Sequence, residues 1–266
     1  MTTRSKSTAR VFDDLRLVGR QIYYEQLSFW LNPIAAVFTV GFSVVFLVLL
    51  GATGGKSHVG FLGGIPVIQY YVAGFMAYGV MATCFNNVGV SLVVRREMGL
   101  LKRIRLSPLP PWAMLAGVTG SALVISVAQV LLLLLIGKLG YGVTGPYNVT
   151  ALVIAIFVGV ICFTALGVAT STLIPNQEAA GPVVSIVFFV LLFLSGLWYP
   201  LQPGSALARI SGYLPFRRLI TATFAPFDTR RGVSGWAWHD IIVMAVWGAA
   251  AVIVSVRRWR WAPHRT

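Results

Sequence analysis

Acidic residues are scarce in this chain: seven Asp and Glu stand among 266 residues, against 21 Lys and Arg. Charged residues together make up 11%, where a soluble protein carries about 25%. Two cysteines exclude a disulfide framework. Three histidines and few acids leave no group with metal-ligand spacing, so no metal site is expected. What fills the chain is apolar: 57% of residues, with a mean hydropathy of +0.81. A soluble domain of this length cannot hide so much apolar surface, because its own outside must be largely polar. The same figures exclude disorder. An all-α, multi-pass membrane protein remains.

The net charge of +14 would suit nucleic acid, but no such partner is expected. The basic residues sit in short clusters between apolar runs, where the positive-inside rule places them.

Six stretches hold no Lys, Arg, Asp or Glu: 26–55, 59–94, 106–137, 139–177, 179–208 and 241–256. A crossing helix needs about 20 apolar residues, and a charge at mid-bilayer costs about 2.5–3.5 kcal/mol. Trimmed at Pro, Gly and polar clusters, the stretches predict six transmembrane helices, at 33–51, 69–93, 112–136, 149–173, 182–199 and 236–256. The expected organisation is a tail with an amphipathic helix over 1–31, a six-helix domain over 32–256 and a basic tail over 257–266.

Basic residues gather in the N-terminal tail, in the second connection (Arg95, Arg96, Lys102, Arg103, Arg105) and in the C-terminal tail. With both termini cytoplasmic, the inner side carries 14 of the 21. Five Arg between Tyr199 and Trp236 depart from the rule, which weakens over long connections. The polar stretch before the first apolar run does not read as a secretory signal, since that run is itself long enough to span. Residues Val11 to Trp30 read as an amphipathic helix lying on the cytoplasmic leaflet. Val11, Leu15, Val18 and Ile22 recur near helical spacing, with Arg10, Asp13, Arg16 and Arg20 on other faces.

Several motifs fail on inspection. The run from Gly51 to Ser57 resembles a phosphate loop, but its first glycine position is Leu50, and it follows a span on the outer side. No nucleotide site and no catalytic residue is expected. Ser234, in Gly232-Val-Ser-Gly235, has no separate intramembrane histidine to act as its base. Asn148-Val-Thr150 reads as the polar start of the fourth span, and Cys84 and Cys162 as packing residues. No acid falls at mid-span, which argues against a proton relay. Gln69, Asn86, Asn87, Gln129, Thr164, Thr170 and Ser185 supply the polar groups there. They serve either as helix–helix hydrogen bonds or as the lining of a pathway.

The second connection carries the strongest signal. Leu100 and Ile104 are four apart, and Met98 and Leu101 three apart, with basic residues between them. The spacing predicts a short amphipathic helix of about three turns, closed by Pro108, Pro110 and Pro111. Such a helix either lies on headgroups or docks into a groove on a cytosolic partner. Glu97 is an acid inside a basic patch, with no cation three or four residues C-terminal to it. It gains nothing from anionic lipid, which favours docking.

Arg-Arg-Glu-x-Gly-x-Leu-Lys-Arg, followed by Ser-Pro-Leu-Pro and an aromatic, resembles the inner loop of ABC-2 type transporter permeases. Phe29-Trp-Leu-Asn-Pro33 is similar to that family's approach to its first span. Leu194-Ser-Gly-Leu-Trp-Tyr-Pro200, then Ile210-Ser-Gly-Tyr-Leu-Pro215, resembles its fifth span and the re-entrant outer segment between spans five and six. The resemblance covers most of the chain. It implies the permease subunit of an ATP-driven exporter, similar to daunorubicin-type multidrug exporters. The cargo would be hydrophobic or amphipathic (a drug, a lipid or a lipid-linked glycan) and would cross the plasma membrane. A second permease subunit, identical or paralogous, would complete the pathway. A cytosolic ATPase dimer would hold ATP and Mg, with no cofactor in this chain.

The same resemblance implies a coupling helix that comprises Arg96, Glu97, Met98, Gly99, Leu100, Leu101, Lys102, Arg103, Ile104, Arg105 and Leu106. The amphipathic N-terminal helix would be the connecting helix, with Arg16, Arg20, Tyr24 and Trp30. The pathway would run between the second and fifth spans of two subunits, lined by Phe85, Asn86, Asn87, Ser185, Phe189 and Ser195. High Ala, Val and Arg with few Lys suggests a bacterial source. Outside this family, the main alternative is a secondary transporter driven by an ion gradient. A lipid-modifying enzyme would have to draw on His239, Asp240, Arg217 and Arg218.

Overall fold

The computed structural model describes residues 3–54, 65–101, 111–198, 204–228 and 234–258, with side chains from Leu15 onward. Among them every regular element is a helix. Helix α1 is Thr3–Trp30. Helix α2 covers 33–54 and changes pitch on the way: Pro33–Ala36 is α-helical, Val37–Gly41 is a π stretch and Phe42–Gly54 is α-helical again. Helix α3, Val67–Glu97, carries a second π stretch at Ala82–Asn87. Then come α4 (Pro111–Tyr141), α5 (Val149–Ser171) and α6 (Gln177–Ser195). Two short helices, α7 (Ala206–Ser211) and α8 (Pro215–Phe224), precede α9 (Trp238–Arg258).

Five of these are long and apolar enough to cross a bilayer: α3, α4, α5, α6 and α9. The apolar part of α2, Val37–Thr53, is shorter. The span expected at 182–199 begins earlier and ends sooner. Asn176 caps the helix start by accepting from the Ala179 N–H at 2.9 Å, so Pro182 falls inside the helix. Gly196 ends it by taking a φ of 83°, a left-handed conformation suited to glycine. The span expected at 112–136 runs on to Tyr141. The N-terminal helix is also longer than the amphipathic pattern over Val11 to Trp30.

Helix α3 is the centre. Val72, Ala73, Phe75, Met76, Ala77, Val80 and Met81 are all inaccessible, so this half of the helix has neighbours all round. Helices α2, α4, α5, α6 and α8 pack against it, and α9 lies along α5. Phe163 and Phe216 meet edge to face at 5.0 Å, and Phe42 stacks on Tyr78 at 4.9 Å. A Cβ on Gly167 of α5 would stand 2.7 Å from the Cys84 carbonyl oxygen and 3.0 Å from that of Phe85. Only glycine lets α5 approach the π stretch of α3 this closely.

Among the polar side chains of the spans, Gln129 and Gln69 act as ties, while Thr170 bonds back to the Leu166 carbonyl of its own helix. Gln129 of α4 donates to Ser43 Oγ at 2.7 Å and to the Thr39 carbonyl at 3.2 Å, beside the π stretch of α2. Gln69 donates to Thr144 and to the Phe227 carbonyl. Asn148 caps α5 and donates to the Ser234 carbonyl at 2.8 Å, so α5 and α9 start side by side. Asn148 is thus the polar start of its helix.

Helix α8 is amphipathic. Phe216, Leu219, Ile220 and Thr223 are buried, and Thr223 donates to the Ala73 carbonyl of α3. Ten residues rise about 15 Å, half the ~30 Å of a hydrocarbon core. The chain between α6 and α9 therefore holds two helices too short to span.

Candidate functional site at the basic end of the bundle

Helices α3, α5 and α9 finish at the same end, where Arg95, Arg96, Arg257 and Arg258 collect. The last turn of α3 fastens two other helices. Arg95 makes a two-pronged ion pair with Glu25 of α1, at 2.6 and 2.7 Å. Fork-to-carboxylate pairing is strong and fixes direction as well as distance. Gln21 also donates to Glu25.

Arg96 points the other way and is 4% exposed. It donates to the Ser171 carbonyl at the end of α5, at 3.0 Å, and to the Ile174 carbonyl three residues beyond it. Its Nε donates to Glu97 at 2.8 Å. The last carbonyls of a helix have no partner within it, and Arg96 supplies donors from another helix. Glu97 is thus paired with its own neighbour rather than standing as a lone acid.

Gly99 follows with a φ of 72°, which ends the helix in a left-handed residue. The periodicity resets there. Met98 and Leu100 are exposed, whereas Leu101 is fully buried against Leu92, Met114 and Val118. Met98 and Leu101 therefore do not share a face, as their spacing alone suggested. Lys102, Arg103, Ile104, Arg105 and Leu106 lie outside the described residues.

Helix α1 runs along α4. Gly117 and Gly120 leave the space that Gln21 and Ile22 fill, and Gln26 donates to Ser121. Arg16, Arg20, Tyr24 and Trp30 are all exposed, with the Trp30 indole donating to Gln26. Of the pathway candidates, Phe85 is packed on Phe188 and Phe216, and Ser195 is buried and bonded to the Leu192 carbonyl of its own helix. Neither reaches a surface of this chain. Asn86, Asn87 and Ser185 are half-buried, and Phe189 is exposed.

At the opposite end, Arg218 of α8 donates to buried Asp240 of α9 at 2.7 Å, and Thr221 reaches the same oxygen at 3.4 Å. Arg217, half-buried beside them, has its pKa lowered by desolvation. His239 is exposed. No local pattern signals the Arg95–Glu25 and Arg96–α5 links, whose partners lie far along the chain. Adjacent arginines at a span's end are the one local hint.

A bundle built round one largely buried apolar helix, with five helices long and apolar enough to cross a bilayer, defines a multi-pass membrane protein. A match to the family described as ABC-2 family transporter protein covers residues 63–257. The Bacillus subtilis (strain 168) protein named "Putative transport permease YvfS" is 27% identical over 189 residues, which cover 70% of this chain and 75% of that protein. The chain belongs to the ABC-2 transporter family, as a transmembrane subunit. Permeases of this family work with ABC ATPases in general.

Proposed function

We propose that this chain is the permease of an ATP-driven exporter for a hydrophobic or amphipathic cargo, paired with a second permease subunit and driven by a cytosolic ATPase dimer. The observation that carries the reading is the junction at the end of α3. Arg95 ties it to α1, Arg96 ties it to α5, and the exposed Met98 and Leu100 follow directly. A push on the segment after Glu97 would thus move three helices together. Helix α2 supports a sixth span: its 22 residues rise about 33 Å, enough for a hydrocarbon core. The amphipathic α8 suits a re-entrant segment on the outer side. The clustering of Arg95, Arg96, Arg257 and Arg258 favours both termini on the cytoplasmic side of the plasma membrane. The apolar residues exposed on α6, Ile186, Val190 and Phe193 among them, suit the second subunit.

The test is an affinity purification of the tagged protein in mild detergent, followed by an ATPase assay. A cytosolic ATPase should co-purify. Met98→Asp with Leu100→Asp should leave insertion intact and lower the coupled ATP turnover at least several-fold. Unchanged turnover in that variant would exclude docking at this segment.

A further inference from the structure

A cleft of about 120 Å³ opens between α1, α3 and α4 at the basic end of the bundle, and the Glu25–Arg95 pair forms part of its wall. Ser28, Thr83, Asn87, Ser91 and Ser121 add hydroxyl and amide groups. Phe29, Val118 and Ile125 give it an apolar side. Thr83 stands on the π stretch of α3, 1% exposed, and its hydroxyl has no protein partner. A buried hydroxyl without a partner costs free energy unless something entering the cleft bonds to it.

The charges say what kind of group enters. Glu25 and Arg95 neutralise each other, so the cleft has no net charge to draw a simple anion or cation. Both remain partly open, with side chains 11% and 20% exposed. A group carrying both signs can use both. Its ammonium has donors for the Glu25 carboxylate and the Ser91 and Asn87 oxygens. Its anion can accept from Arg95 and from Thr83. The apolar side then takes the carbon chain attached to that group.

We propose that this cleft binds a zwitterionic amine–phosphate headgroup, of the phosphoethanolamine type. The site lies apart from the exposed α6 face that suits the second subunit, and it does not depend on the direction of transport.

The experiment uses the full chain purified in detergent and compares phosphatidylethanolamine, phosphatidylglycerol and soluble phosphoethanolamine. Native mass spectrometry reads the lipid retained, and the unfolding temperature reads stabilisation. Phosphatidylethanolamine should be retained at least tenfold over phosphatidylglycerol. Ser91→Leu, which fills the cleft without removing a bond between helices, should abolish that preference while the unfolding temperature in detergent alone stays unchanged. Glu25→Gln should weaken it as well. Stabilisation by soluble phosphoethanolamine without lipid retention would support the same headgroup chemistry and assign it a soluble source. Equal retention of the two lipids with no response to phosphoethanolamine, or a preference that Ser91→Leu leaves intact, would overturn the proposal.

Discussion

Arg96 occupies a position where a guanidinium is costly unless its donors find acceptors. All three of its nitrogens do: Nη1 on the Ser171 carbonyl that ends α5, Nη2 on the Ile174 carbonyl just after it and Nε on Glu97. Replacement by alanine would leave two carbonyls and a half-buried carboxylate unserved. Arg96→Ala should cost about 3 kcal/mol. Arg96→Lys should fall between, since a single ammonium cannot reach along a planar fork. Thermal unfolding followed by size-exclusion chromatography checks the order. Equal unfolding temperatures for both variants and the parent would mean that the α5 end needs no cap. Gly167→Ala tests steric closeness rather than charge. Its methyl would press on backbone oxygens at 2.7 and 3.0 Å, which cannot rotate away. A loss of about 1–3 kcal/mol is expected for such overpacking. These roles were hidden in the sequence because the partners lie 75 and 78 residues from Arg96. A pair of arginines at the end of a span reads equally well as positive-inside charge.

At the scale of elements, hydrogen bonds and close packing compete as the source of adhesion. Gln129 joins α4 to α2 through two bonds, yet buried polar ties in membranes average only about 0.6 kcal/mol. Gln129→Leu should therefore cost little, about 0.6 to 1.7 kcal/mol. The same glutamine rests on Gly79, where an added Cβ would meet its Cδ at 2.4 Å. Gly79→Ala should cost at least as much, because the added methyl displaces the amide from both its partners. If Gln129→Leu proves the worse, polar ties rather than shape hold these helices. The positions of α3 and α5 were legible because a span is written as a long interval without charge. The π stretches at Val37–Gly41 and Ala82–Asn87 were not legible, since nothing in their composition separates them from α-helix. The break at Gly99 has a local signal, a glycine after a charged last turn. Apolar spacing continues across that glycine and masks the signal.

For the whole molecule, the open quantity is which end faces the cytosol. Arg95, Arg96, Arg257 and Arg258 share one end, while Arg217 and Arg218 lie toward the other, with Arg218 neutralised by Asp240. Pairing offsets Arg218 with Asp240, and equally Arg95 with Glu25 and Arg96 with Glu97, so the balance rests on Arg257 and Arg258 together with Lys102, Arg103 and Arg105 of the sequence between α3 and α4. The positive-inside rule then makes a cytosolic α3 end the expected orientation. Labelling with a membrane-impermeant maleimide decides it cleanly. The two native thiols, Cys84 and Cys162, are both buried and should stay silent. Ala206→Cys, exposed at the start of α7, should label in intact cells. Met98→Cys, exposed at the end of α3, should label only after the cells are opened. The reverse pattern would place the Arg95–Glu25 junction outside the cell. No ATPase could reach it there, and coupling through α3 would fail together with the assigned orientation.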